Sequence, residues 1–219
     1  MSMGSVAASW LEIRSGVLAS GSAREATPAV SRARRYAEAA DEDLVSWSSG
    51  GDGRAFDEIV SRHGPFALRI AARIVPDRTA AEDIVQDAMV RAWNRCDRFD
   101  PGRAQFRTWL YRIVVNLCID QRRRVSPEPL PERFDAADPA APADQILAAS
   151  ERAIALAAAI RALPGRQRAA MTLVYDEGVS GAEAARILGL SAKAVERLLA
   201  RARSTLRESM LEDHDWKDD

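Results

Sequence analysis

Lys193, Arg197 and Arg201 recur every four residues in the stretch SAKAVERLLARARSTLRESM, among regularly spaced apolar positions. At about 100° per residue, Val195, Leu198, Leu199, Ala202 and Leu206 gather in one apolar arc. Lys193, Arg197 and Ser204 fall on the far side, with Arg201 on one flank and Arg203 on the other. Cations on the outer face of a helix whose inner face is buried can neutralise phosphates and donate to base edges. The residues just before them supply the positioning. Gly189 can take the left-handed conformation that ends a helix, and Ser191 can cap the next. Helix, short corner, helix is the helix-turn-helix pattern. An ordinary helical hairpin shares that corner, but the basic outer face and a net charge of +4 over residues 151–211 favour DNA.

A second candidate surface lies upstream. TAAEDIVQDAMVRAWN opens on Thr79 with Glu82 three residues on, a capping-box spacing that predicts a helix start there. Its periodicity puts Ile84, Val85, Ala88, Met89, Ala92 and Trp93 on a core face. Asp83, Gln86, Asp87, Val90 and Asn94 fall on the opposite one. An acidic strip containing an apolar Val90 suits plain solvation or docking on a basic partner helix, and periodicity does not choose between them.

The chain then turns through DRFDPGRAQ, where Pro101 and Gly102 break the helix. In FRTWLYRIVVNLCIDQRRR the helical pattern returns. Phe106, Leu110, Ile113 and Leu117 form its face, Trp109 lies at the edge, and Arg107, Tyr111 and Arg112 point away. The closing Arg122, Arg123 and Arg124 complement a helix dipole. Arginines beside aromatics and a glycine-containing loop also suit single-stranded DNA, whose bases stack on rings while arginine neutralises phosphate. Both uses stand.

Composition narrows the remaining classes. The chain has 219 residues, 47% hydrophobic and 29% charged, enough for one or two soluble domains with modest cores. Aromatics are sparse and β-branched runs short, which leans towards helix packing. No apolar stretch approaches the roughly 20 residues of a bilayer span, and the N-terminus lacks the apolar core of a secretory signal. A cytoplasmic location is therefore expected. Cys96 and Cys118 suggest neither a disulfide framework nor a zinc cluster and read as reduced thiols. His63 and His214 have no ligand spacing around them. No metal, cofactor or small-molecule substrate is expected. Without a nucleophile–base pair or a metal-binding carboxylate cluster, neither is catalysis, and a nuclease would lack its metal ligands.

The charges are unevenly spread. The whole chain carries −1, yet residues 101–124 carry +5, while residues 125–150 and 212–219 each carry −4. Basic patches between acidic tracts suit a protein that meets DNA with some parts and a protein with others. Residues 1–40, rich in Ser, Ala and Gly, read as a poorly ordered extension. Residues 41–124 form a first helical domain. Residues 125–150 include VSPEPLPERFDAADPAAPAD, with five of the ten prolines, and read as a flexible acidic linker. Residues 151–211 form a second helical domain and 212–219 an acidic tail. The expected fold is all-α: two small helical domains joined by a Pro-rich acidic linker, the second containing the helix-turn-helix.

AEDIVQDAMVRAWNRCDRFDPGRAQFRTWLYRIVVNLCID resembles region 2 of the extracytoplasmic-function (ECF) sigma factors of bacterial RNA polymerase. ALPGRQRAAMTLVYDEGVSGAEAARILGLSAKAVERLLARAR resembles their region 4. The resemblance covers about 45–124 and 151–208. It implies a promoter-specificity subunit that binds core RNA polymerase and promoter DNA, and it implies restraint by an anti-sigma factor, often membrane-bound. The polymerase-binding strip would be Asp83, Gln86, Asp87 and Val90, with Asn94 at its end. Opening of the −10 element would fall to the 98–112 segment, with Phe99, Arg103, Arg107, Trp109 and Arg112. Reading of the −35 element would fall to Ser191, Lys193, Arg197 and Arg201, with Arg166 and Arg168 at phosphates. The alternatives are a stand-alone helix-turn-helix regulator, which would bind duplex DNA unaided, and a helical adaptor that binds only proteins.

One departure stands out. Many relatives begin the recognition helix with Gly-Thr-Val-Lys/Arg-Ser-Arg, whereas this chain has KAVERL, with Lys193 for the Gly and Glu196 for a basic residue. Glutamate can accept from a cytosine amino group and also weakens phosphate attraction, so the −35 sequence cannot be copied from relatives.

Overall fold

The computed structural model describes residues 35–125 and 143–215, with side chains over 35–124 and 152–211. The expected extension up to residue 34, most of the linker and the end of the acidic tail lie outside the described residues. Within them there are eight α-helices and no strand, as the all-α reading expects. These are α1 (Asp41–Ser49), α2 (Gly53–Ile74), α3 (Arg78–Trp93), α4 (Phe106–Val125), α5 (Ala143–Ala162), α6 (Gly165–Met171), α7 (Gly181–Leu188) and α8 (Ala192–Asp215).

Local chemistry explains several boundaries. Asp52 starts α2 by accepting from the amides of Arg54 and Ala55. Pro65 lies inside α2 and removes one backbone donor. The helix continues because Phe56, Ile59 and Val60 before it, and Ala67, Ile70 and Ile74 after it, are all buried. The start of α3 differs from the capping box expected at Thr79. Asp77 is the cap, its carboxylate accepting from the amides of Thr79 and Ala80, and Glu82 pairs instead with Arg78. An ionised carboxylate is the stronger acceptor for two unpaired amides, so it sets the boundary.

The core stripe expected on α3 is present: Ile84, Val85, Ala88, Met89 and Ala92 are buried, and Trp93 is half-buried against Phe56. The face of α4 is broader than expected. Phe106 and Leu110 are buried, but so are Tyr111, Val114, Val115 and Cys118, while Ile113 and Leu117 are only half-buried. The cause is two-sided packing. One side of α4 meets α2 and α3, the other α6 and α7. The apolar core therefore runs without a break from Leu44 in α1 to Leu199 in α8, through both halves of the chain. A small second cluster, Ala159, Leu163, Ala202 and Leu206, seats α5 on α8.

Candidate nucleic-acid interface

The helix-turn-helix is built as the residues dictate. Ser180 caps α7 at the Glu183 amide, and Ala184, Ala185 and Ile187 sink its inner face. Gly189 ends α7 with φ 65°, a left-handed conformation that side chains rarely tolerate. A Cβ there would also lie 2.7 Å from the Arg112 Nη2. Ser191 Oγ then accepts from the Ala194 amide to start α8. Val195, Leu199, Ala202 and Leu206 are buried as expected, and Leu198 is half-buried. Lys193, Arg197 and Arg201 are exposed along the outer face. None of the three makes an ion pair among the described residues. Such a face can donate to phosphates and base edges without first breaking an internal contact.

The two arginines expected at phosphates separate. Arg166 is exposed, but Arg168 is only 6% exposed. Its Nε donates to the Arg73 carbonyl at 2.6 Å. Burial pulls its guanidinium down to about 10, helped by repulsion from Arg122 and Arg161. In this arrangement it faces the other half of the molecule and not solvent.

In the 98–112 segment three rings cluster. Phe99, Phe106 and Trp109 have centroids 5.5 to 5.7 Å apart. Phe106 is buried, while Phe99 and Trp109 are half-buried. Arg103 is exposed and pairs with Asp100 at 3.2 Å. Arg107 instead reaches Glu183 on α7 at 3.1 Å, and Arg112 lies against Gly189. On α3, Asp83, Asp87 and Asn94 are exposed and Gln86 and Val90 half-buried. Asp87 pairs with Arg91 at 2.9 Å, an exposed pair of little energetic weight.

Sequence reasoning missed the contacts that join the halves. Arg69 pairs with Glu177 at 3.2 Å and Arg73 with Asp176 at 3.4 Å. Arg122, expected at a helix end, donates to the carbonyls of Ile74, Arg161 and Leu163. It also missed a polar network in the first half. His63 Nε2 lies 2.7 Å from Asp41 Oδ2, and Nδ1 lies 2.9 Å from the Tyr111 hydroxyl. With its proton on Nε2, His63 donates to Asp41 and accepts from Tyr111, which holds α1, α2 and α4 together. The hydrogen bond from His63 keeps the Asp41 carboxyl below its usual value against the opposing effect of burial. Cys96 and Cys118 are buried free thiols, pushed by burial up to about 12.

A helical body with an acidic strip and a ring-and-arginine segment, followed by a helix-turn-helix with a basic outer face, is an arrangement suited to meeting both protein and DNA. Residues 59–127 match the family Sigma-70 region 2, and residues 153–206 match Sigma-70, region 4. The chain is 36% identical to the ECF RNA polymerase sigma factor SigM of Mycobacterium tuberculosis, over 82% of this chain and 88% of that one. It is 40% identical to the RNA polymerase sigma factor CnrH of Cupriavidus metallidurans, over 77% of this chain and 93% of that one. The solved structure of CnrH in complex with the cytosolic domain of CnrY superimposes with a TM-score of 0.55 at 37% identity, covering 81% of this chain and 99% of that one. The chain belongs to the ECF sigma factors of the sigma-70 family. Among the described residues no helix is long and apolar enough to cross a membrane.

Proposed function

We propose that this chain binds core RNA polymerase, directs it to promoters through their −10 and −35 elements and helps to open the DNA, catalysing nothing itself. The observation that carries this reading is the outer face of α8. Lys193, Arg197 and Arg201 are exposed and, among the described residues, without ion pairs, on a helix aimed by a left-handed Gly189 and a Ser191 cap. Ser191 at the start of α8 and the exposed Arg166 on α6 join them, and all five would meet the −35 element. Asp83, Gln86, Asp87, Val90 and Asn94 offer the polymerase a surface on α3. Phe99, Arg103, Arg107, Trp109 and Arg112 supply rings and cations for the −10 strand. The work is cytoplasmic, where the polymerase is. CnrH was solved with the cytosolic domain of CnrY, which supports a protein inhibitor here too, an anti-sigma factor that need not itself be soluble.

Gel-shift titration of promoter DNA, with and without purified core polymerase, tests the reading. The chain alone should bind weakly and with little selectivity, and core enzyme should convert this to a sequence-specific complex. Tight, selective binding by the chain alone, unchanged by core, would instead indicate a stand-alone helix-turn-helix regulator.

A further inference from the structure

We infer that Glu196 reads a base: its carboxylate accepts a hydrogen bond from the exocyclic N4 amino group of a cytosine in the major groove of the upstream promoter element. The inference rests on the reading of α8 as the recognition helix. Successive steps of about 100° place Glu196, Ala200, Lys193 and Arg197 within one arc of roughly the same width, away from the buried Val195, Leu199 and Ala202. All four are exposed and belong to the N-terminal half of α8, the part that a helix-turn-helix sends to base edges. Ala200 has no side chain beyond Cβ, so the helix backbone can come close to the groove there.

The other acids of this half have structural work. Asp176 and Glu177 pair with Arg73 and Arg69, Glu183 pairs with Arg107, and Glu208 accepts from Ser204. Of the acids among the described residues of 152–211, Glu196 alone has no ion-pair or hydrogen-bond partner, although Lys193 stands three residues before it and Arg197 beside it. Helix electrostatics do not account for it either. Ser191 already caps α8, and the first turn, where a carboxylate would complement the dipole, holds no acid.

Against phosphates alone a carboxylate is a liability. What it adds to a basic face is an acceptor. The major groove offers two donors, the cytosine N4 amino group and the adenine N6 amino group. Adenine N6 sits beside the N7 acceptor, which repels a second acceptor, so cytosine is favoured. The paired guanine then presents O6 and N7 to a cation, and Lys193 and Arg197 flank Glu196 to supply it. One acid between two bases thus fixes which strand carries the cytosine.

The test is transcription by purified core polymerase from a library randomised across the −35 element, using wild type, Glu196→Ala and Glu196→Gln. Wild type should prefer cytosine at one position on the order of tenfold. Glu196→Ala should flatten that position and leave the others alone. Glu196→Gln should move the preference towards adenine, whose N6 and N7 an amide can bridge. Equal melting temperatures for the three proteins would exclude a folding effect. Identical base preferences in all three, whatever happens to total activity, would overturn the inference and leave Glu196 a modulator of charge. Absence of any promoter-dependent transcript with wild type would instead overturn the proposed function beneath it.

Discussion

Arg107 lies 3.1 Å from Glu183, so a side chain suited to single-stranded DNA is held by a carboxylate of the other half. The proposed role of the 98–112 segment in strand opening should show as a difference between two steps. Arg103→Ala with Arg107→Ala is expected to lower the permanganate reactivity of promoter thymines more than it lowers closed-complex formation, and a pre-melted promoter should rescue it. Failure of that rescue would remove the segment from melting. Asp41 carries a prediction of stability. Its folded pKa lies below the usual 3.8, so it stabilises the fold above that pH and loses the effect as pH falls through the lowered value. Asp41→Asn should cost about 1–3 kcal/mol at neutral pH, with the gap to wild type narrowing below pH 4 in thermal melts. A gap that does not change with pH would mean that the charge is irrelevant. Neither Arg107–Glu183 nor Asp41–His63 was legible in the sequence, because each joins residues far apart in the chain, and no local pattern encodes such a partner.

Periodicity served best where one helix meets one surface. The stripe of α3 and the seam of α8 were readable residue by residue, and so was the corner, since Gly189 and Ser191 act through their own backbone geometry. It served worst for α4, which is clasped on two sides. The single-face reading there left Tyr111 outside a core that buries it. The acidic strip on α3 belongs to the readable class, since it is the complement of the stripe. Asp83→Arg with Asp87→Arg should weaken binding to core polymerase at least tenfold. The helical circular-dichroism signal should be unchanged, because only exposed positions and one weak ion pair are altered. Unaltered affinity for core enzyme would remove α3 from the polymerase interface.

At the scale of the whole molecule, the halves touch where the function needs them apart. Their element names put the two promoter sites about 25 base pairs from each other, roughly 85 Å at about 3.4 Å per pair. Here Arg112, of the segment proposed for the −10 element, lies against the Gly189 corner of the proposed −35 reader, so the proposed reading requires the halves to separate on promoter DNA. The interface carries a desolvation cost. Arg122 and Arg168 bring guanidiniums into it that rest on carbonyls, and Arg168 Nη1 has no partner among the described residues. Glu177→Lys with Glu183→Lys should replace three cross-half attractions with repulsions and raise the radius of gyration by several ångströms in small-angle scattering; an unchanged radius would show that these three ion pairs do not hold the halves together. The central claim, that this chain gives a polymerase its promoters, is tested most directly by run-off transcription with purified core enzyme. With wild-type protein a discrete transcript should start at a fixed site, and with the Lys193→Ala/Arg197→Ala protein it should fall at least tenfold from promoters that need the −35 element. Transcription that starts at random, or a discrete transcript indifferent to those two residues, would contradict it.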